Sequence, residues 1–195
     1  MTDEGSPHLK SLALLEGLIE EAELDWAVTL DPEPLSRSTG LPESVVVAGL
    51  HRRRLPESDF LQQVTQRLEF LRRTRLGPAG RPYTQAEIAH GAGLTPQWFG
   101  RFLRGEKAPS LEHAARIEDF FQVPRGFLTA TPSQALDRAL REKLEEERAR
   151  QLAELQAFKR KNQLNGFALR GTSPKTRAVM QALLDSIEED QQDGA

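Results

Sequence analysis

The chain has 195 residues, of which 28% are charged and 38% hydrophobic, and it contains no cysteine. This composition is typical of a globular protein, and without cysteine it excludes disulfides, thiolate nucleophiles, zinc fingers and iron-sulfur clusters. The acidic N-terminus has no secretory signal, and no apolar run approaches the roughly 20 residues of a membrane helix. We therefore expect a cytoplasmic protein with no membrane partner.

Charge is unevenly distributed along the chain, although the formal net charge is only -3. Residues 1–57 carry 5 basic and 11 acidic side chains, residues 58–131 carry 10 and 7, and residues 132–195 carry 11 of each. The field that attracts a phosphate is local, because charges are screened beyond a Debye length of about 10 Å. The net negative charge of the chain therefore does not exclude a nucleic-acid partner for the basic middle third.

The hydrophobic pattern predicts an all-α fold. Apolar residues recur at helical spacing, and β-branched residues cluster only at Val45–Val47. A hydroxyl residue followed by proline marks helix starts at Thr95-Pro96, Thr131-Pro132 and Ser173-Pro174. The predicted helices span residues 9–25, 34–40, 43–51, 58–75, 84–92, 96–104, 110–121, 124–129, 133–162 and 174–189.

A repeat emerges when residues 35–42 are aligned with residues 88–95, at an offset of 53. The register continues until Pro56 aligns with Pro109. One supersecondary unit would then occur twice. A chance similarity of two helix pairs is the alternative, because few positions are identical.

The segment from Tyr83 to Ser110 has the signals of two short helices joined by a tight turn. Thr84 and Glu87 are spaced as a capping box, Gly93 can adopt the left-handed conformation that ends a helix, and Thr95 can cap the next helix. Phe99, Phe102 and Leu103 are predicted to face inward. The residues predicted to face outward are Gln97, Gly100, Arg101 and Arg104.

This outward face suits the major groove of DNA, which admits one α-helix. Gln97 and Arg101 are four residues apart and share a face. Glutamine and arginine can make bidentate contacts to adenine and guanine edges, respectively. Gly100 lies between them and lets the helix approach closely.

The pattern resembles the helix-turn-helix of the XRE family, the Cro and phage-repressor type, over about residues 59–129. The resemblance rests on Thr84-Gln85, the Ala-Glu-Ile-Ala run, the Gly-Leu-Thr turn, Arg104-Gly105 and Pro109-Ser110. It implies a five-helix domain in which Gln85 contacts a phosphate while Gln97 and Arg101 contact bases. We predict DNA contacts from Thr84, Gln85, Thr95, Pro96, Gln97, Trp98, Gly100, Arg101, Arg104 and Lys107.

Three features depart from this family's pattern. Pro96 stands where many relatives have a polar residue, Trp98 is unusually large, and the loop over residues 77–82 is extended. Trp98 has two interpretations, packing in the core or lying along the DNA backbone. Base preference is therefore not transferred from any relative.

The first copy of the repeat has Ser44 and Ala48 where the second has Gln97 and Arg101. We interpret residues 1–57 as a degenerate helix-turn-helix that serves dimerisation or binds a protein partner, with a second DNA reader as the alternative. Two basic runs, Arg52–Arg54 and Lys159–Lys161, can either neutralise phosphates or be solvated helix ends.

The last third, residues 132–195, is predicted to be an arm that connects and self-associates. Its long helix has two apolar patches, Leu136/Leu140/Leu144 and Leu152/Leu155/Phe158, separated by residues 145–150. Residues 164–189 resemble the C-terminal dimerisation region of EspR-like actinobacterial regulators. The apolar stripe of the last helix is too narrow to be stable alone, so it needs a partner surface.

No residue pattern indicates catalysis, a cofactor or a metal. His8, His51, His90 and His113 lack ligand spacing, and we expect them at the surface or in caps. A Ser-His-Asp triad can be assembled only by ignoring position. We therefore expect neither enzymatic activity nor a metal site.

These observations favour a homodimeric, sequence-specific regulator of transcription, either repressor or activator, that binds double-stranded DNA on the nucleoid through residues 58–131. Two alternatives stay open. One is a nucleoid-associated architectural protein that bridges distant DNA sites. The other is an antitoxin-like or scaffold module that binds protein.

Overall fold

A computed structural model describes residues 6–57, 59–78 and 80–161 of the chain. Within these ranges the structure is all-α, as predicted, and the only sheet-like pairing is an isolated bridge between Leu76 and Pro82. The helices are α1 (Pro7–Glu21), α2 (Trp26–Thr29), α3 (Pro32–Thr39), α4 (Glu43–Leu50), α5 (Phe60–Thr74), α6 (Gln85–Gly91), α7 (Pro96–Leu103), α8 (Leu111–Phe121) and α9 (Pro132–Lys161).

The predicted first helix, 9–25, is too long at its C-terminal end. The helix α1 ends at Glu21, and Glu23 has a positive φ of 51° that turns the chain. Asp25 then caps the unpredicted helix α2, because its carboxylate accepts the N–H groups of Ala27 and Val28.

The predicted helix over residues 124–129 is wrong, since the chain forms consecutive turns there. Gly126 has a φ of 78°. The buried carboxylate of Glu118 accepts the N–H groups of Gly126 at 3.1 Å and Leu128 at 2.8 Å. A buried side chain thus satisfies these two backbone donors. The predicted helix 174–189 lies outside the described residues.

One hydrophobic cluster joins the N-terminal helices to the beginning of α9. Leu136 and Leu140 are fully buried in it, and a Cβ added at Gly49 in α4 would lie 2.4 Å from Leu136 Cδ2. His8, expected at the surface or in a cap, is only 3% exposed, and its Nδ1 lies 2.8 Å from Ser133 Oγ. Contacts divide the chain after Glu145, and the limits proposed at residues 57 and 131 stay predictions.

A second cluster forms the core of α5 to α8. The fully buried Arg67 of α5 ties this core to the turn after α8 by donating from Nη1 to the carbonyl oxygen of Phe127 at 2.6 Å. Burial, and to a smaller extent the nearby charge of Arg138, lower the pKa of Arg67 to about 10, although Glu118 acts in the opposite direction. The cluster contains Val64, Leu68, Leu71, Ile88, Ala89, Ala92, Phe99, Phe102, Ala114, Ile117, Phe121, Phe127 and Leu128.

The two helix pairs α3–α4 and α6–α7 share one backbone pattern. At the offset of 53, both helix starts and the end of the second helix match, and α6 ends one residue before the position that matches the end of α3. Gly40 and Gly93 have φ values of 69° and 64°, and Arg52 and Gly105 have φ values of 56° and 72°. The matched left-handed positions support the repeat predicted from the sequence.

Candidate nucleic-acid interface

The N-terminus of α6 is fixed by the predicted capping box. The Glu87 N–H donates to Thr84 Oγ1 at 3.2 Å, and the Thr84 N–H donates to Glu87 Oε2 at 2.8 Å. Arg81 donates to both carboxylate oxygens, at 2.8 and 3.0 Å, and with the Thr84 bonds holds the pKa of Glu87 down at about 2. This arrangement leaves Gln85 exposed in the first turn of α6.

The turn between α6 and α7 follows the expected geometry. Gly93 is left-handed, and the N–H of Leu94 donates to the carbonyl oxygen of Ala89 at 2.7 Å. Thr95 caps α7 by accepting the N–H of Trp98 at 3.3 Å, and Pro96 occupies the first helical position, where no donor is needed. The local signals therefore fix where α7 begins.

The helix α7 has one apolar face and one polar face. Phe99 and Phe102 are fully buried in the second cluster. Successive residues are about 100° apart around a helix. Positions 97, 100, 101 and 104 therefore share an arc of about 100° on the side opposite the two phenylalanines. This arc, called here the polar face of α7, consists of Gln97, Gly100, Arg101 and Arg104, of which all but the half-buried Gly100 are exposed.

The two arginines of the polar face are accessible. Their side chains are 53% exposed at Arg101 and 61% at Arg104. A Cβ added at Gly100 would have Arg104 Nη1, the mobile end of a side chain, as its neighbour within 4 Å, at 3.4 Å. On this face, no side chain projects from the helix between Gln97 and Arg101, so a partner can approach the backbone closely there.

Trp98 packs against its own domain. Its ring centroid lies 4.2 Å from that of His113 and 5.6 Å from that of Phe102, and the residue is half-buried. Packing explains this side chain, and a DNA contact from it stays a prediction.

The structure places the ten predicted site residues at the beginning of α6 and along α7 and the turn that follows it. Gly100 and Trp98 are half-buried; the exposed ones are Thr84, Gln85, Thr95, Pro96, Gln97, Arg101, Arg104 and Lys107. Sequence reasoning missed Glu106, which contacts Arg101 and Arg104. Its place one residue after the helix-ending Gly105 was the available signal.

The two basic runs contribute less to this region. Arg52 forms an ion pair with Glu16, and Arg54 forms one with Glu57 at 2.6 Å. These pairs favour the interpretation of a solvated helix end. The side chains of residues 159–161 lie outside the description.

No protein-family model, curated protein or solved structure matches the chain. Within the described ranges, no helix is long and apolar enough to cross a membrane. In the same part of the chain, no group of three or more His, Asp or Glu side chains is placed to hold a metal ion.

Proposed function

We propose that the protein is a homodimeric, sequence-specific regulator of transcription that binds double-stranded DNA by placing α7 in the major groove. The observation that carries the proposal is the polar face of α7, which is basic and has a glycine, without a side chain, at its centre. The same helix is anchored from behind by two fully buried phenylalanines. A rigid helix that presents such a face has the properties that base-edge recognition requires.

Each part of the surface has a role in this proposal. Gln97 and Arg101 are one turn apart and contact base edges. Arginine can donate two parallel hydrogen bonds to a guanine edge, and the glutamine amide can donate one and accept one at an adenine edge. Gln85 and Thr84, exposed at the beginning of α6, contact the phosphate backbone and fix the orientation of the domain. Lys107 adds a phosphate contact beyond the end of α7.

The second apolar patch of α9 supports self-association. Leu152 and Phe158 are 40% and 54% exposed, and a second copy of the chain would cover them. A twofold dimer presents two equivalent copies of α7, so it would bind an inverted repeat. On this account the protein acts in the cytoplasm, on the nucleoid.

The test combines two measurements on the full-length protein: the salt dependence of its binding to duplex DNA of random sequence, and the selection of preferred duplexes from the same pool. Neutralising phosphates releases counterions, so the logarithm of the affinity should fall with the logarithm of the salt concentration by about 0.9 per phosphate contacted. A steep slope together with preference for one sequence supports the proposal. A steep slope with no sequence preference would favour the architectural alternative, and absence of binding even at low salt would favour the protein-binding module.

A further inference from the structure

The chain folds back over the end of α7 immediately after the helix. Gly105 is left-handed, its N–H donates to Phe102 O at 2.9 Å, and the N–H of Glu106 donates to Arg101 O at 3.0 Å. These two bonds form a Schellman motif, which reverses the chain direction. The motif brings the side chain of Glu106 to the two arginines of the polar face.

One carboxylate holds both of these arginines. Arg104 donates from Nε to Glu106 Oε1 at 2.5 Å and from Nη2 to Oε2 at 3.2 Å. Arg101 Nε lies 3.5 Å from the same Oε2. The hydrogen bonds from Arg104 lower the pKa of Glu106, with a smaller contribution from Arg101, so the carboxylate is charged at neutral pH.

The two arginines are held in different ways. The contact of Arg101 with Glu106 is through Nε, which leaves both Nη groups available for a guanine edge. Arg104 donates to Glu106 from two of its nitrogens, so fewer of its N–H groups are available for a phosphate. The three side chains are between 45% and 61% exposed, and contacts between exposed charges are weak enough to be exchanged for others.

A negative charge here acts differently on matched and unmatched DNA. It repels the phosphates of every duplex and competes for Arg104, which weakens binding whatever the sequence. Where a guanine is present, the same carboxylate holds Arg101 for the base contact. The net effect is a larger difference between a matched and an unmatched site.

We propose that Glu106 is a specificity-determining residue, which restrains Arg101 and Arg104 and thereby weakens binding to unmatched duplex DNA more than binding to the preferred site. This inference rests on the DNA-binding function proposed above. Glu106 acts on specificity through the two arginines and needs no base contact of its own.

The experiment compares three full-length proteins: wild type, Glu106→Gln and Glu33→Gln. Glu33 is a matched control because it is exposed, it forms an ion pair with Arg37, and it lies in α3 of the other helix pair. The Kd of each protein is measured at physiological salt for the preferred site selected from a random pool and for a random duplex. Equal melting temperatures verify that the folds are intact.

Glu106→Gln should bind random duplex roughly two- to fivefold more tightly, the range expected for loss of one exposed ionic contact. The ratio of the two Kd values should fall by a similar factor, and Glu33→Gln should leave that ratio unchanged. An unchanged ratio in Glu106→Gln, or an equal change in both variants, would overturn the role of Glu106 while leaving DNA binding established by the wild type. If the wild type bound no duplex at low salt, both the proposed function and this inference would fail.

Discussion

Two helix pairs in this molecule have one backbone pattern and different surfaces. Both α3–α4 and α6–α7 turn at a left-handed glycine, and a second left-handed residue follows the last helix of each pair. The next N–H then donates back into that helix, from Arg53 to Ala48 O in the first pair and from Glu106 to Arg101 O in the second. Their outward positions differ. The second pair has Gln97 and Arg101 where the first has Ser44 and Ala48.

The comparison separates what makes the fold from what makes the proposed function. The buried positions match in kind, since Val46 and Phe99 correspond and both are fully buried. The outward positions do not contribute to either core, so their chemistry can vary without changing the backbone. Similarity between the two pairs therefore indicates a common fold, whereas DNA recognition is proposed for the second pair alone.

The largest expected difference is in stability, at the paired glycines. Gly40→Ala and Gly93→Ala should each lose about 1–2 kcal/mol, because alanine disfavours the left-handed conformation. A Cβ at Gly40 would also lie 2.6 Å from the ring of the buried Phe127, whereas at Gly93 the nearest atom is Arg116 Nη1 at 3.6 Å. Overpacking should cost Gly40→Ala about 1–3 kcal/mol more. Denaturant unfolding of both variants measures this, and equal losses would contradict it.

The next prediction concerns base recognition by the second pair. Arg101→Ala should lose about 1–3 kcal/mol at the preferred site and relax the preference at one base pair of each half-site. Arg52→Ala is the control, since its side chain is similarly exposed but lies at the end of the first pair. Competition binding with single-base variants of the site measures the preference. A uniform loss on all sequences would remove Arg101 as a base contact.

A smaller effect is expected at the start of α6. Gln85→Ala removes one proposed phosphate contact, and a hydrogen bond contributes about 0.5–1.5 kcal/mol net. Binding should therefore weaken roughly two- to tenfold on matched and random duplexes alike. The first pair has Pro32 at this position, without an amide side chain. A loss confined to the preferred site would instead assign Gln85 to base recognition.

The smallest effect is the pH dependence of the capping box, which α3 lacks. Because the pKa of Glu87 is lowered to about 2 in the folded state, its ionised form stabilises the fold above its unfolded pKa of about 4.3. This stabilisation is lost as the pH falls through the window from about 4.3 to 2. Glu87→Gln should therefore lower the Tm at pH 7, and the difference from wild type should shrink below pH 4. A difference that stays constant down to pH 2 would refute the assignment.

Local signals predicted the part of the fold that positions the candidate site. The cap at Thr95, the proline at the first helical position and the spacing of Phe99 and Phe102 all act within one helix, so they were visible in the sequence. The prediction of a helix over residues 124–129 failed because the carboxylate of Glu118 stabilises turns there. That carboxylate reaches the turns only in the tertiary structure. Side-chain contacts between α8 and the turn that follows it decided that segment.

Contacts that helical periodicity does not encode also explain what the sequence left out of the site and the core. The pattern of α9 identified Leu136 and Leu140 as an apolar patch, but periodicity does not predict which surface covers that patch. The covering residues belong to helices more than 80 residues earlier in the chain. The pairing of Glu106 with two arginines depends on the chain reversal after α7. Side-chain contacts of this kind follow from geometry and not from residue type.

The most direct test of the central claim is selection of binders from a random duplex pool by the full-length protein at physiological salt, with Arg101→Ala in parallel. The account predicts enrichment of a twofold-symmetric motif, and loss of preference at one base pair of each half-site in the variant. Failure to enrich any motif, or one motif enriched equally well by both proteins, would contradict base recognition through α7.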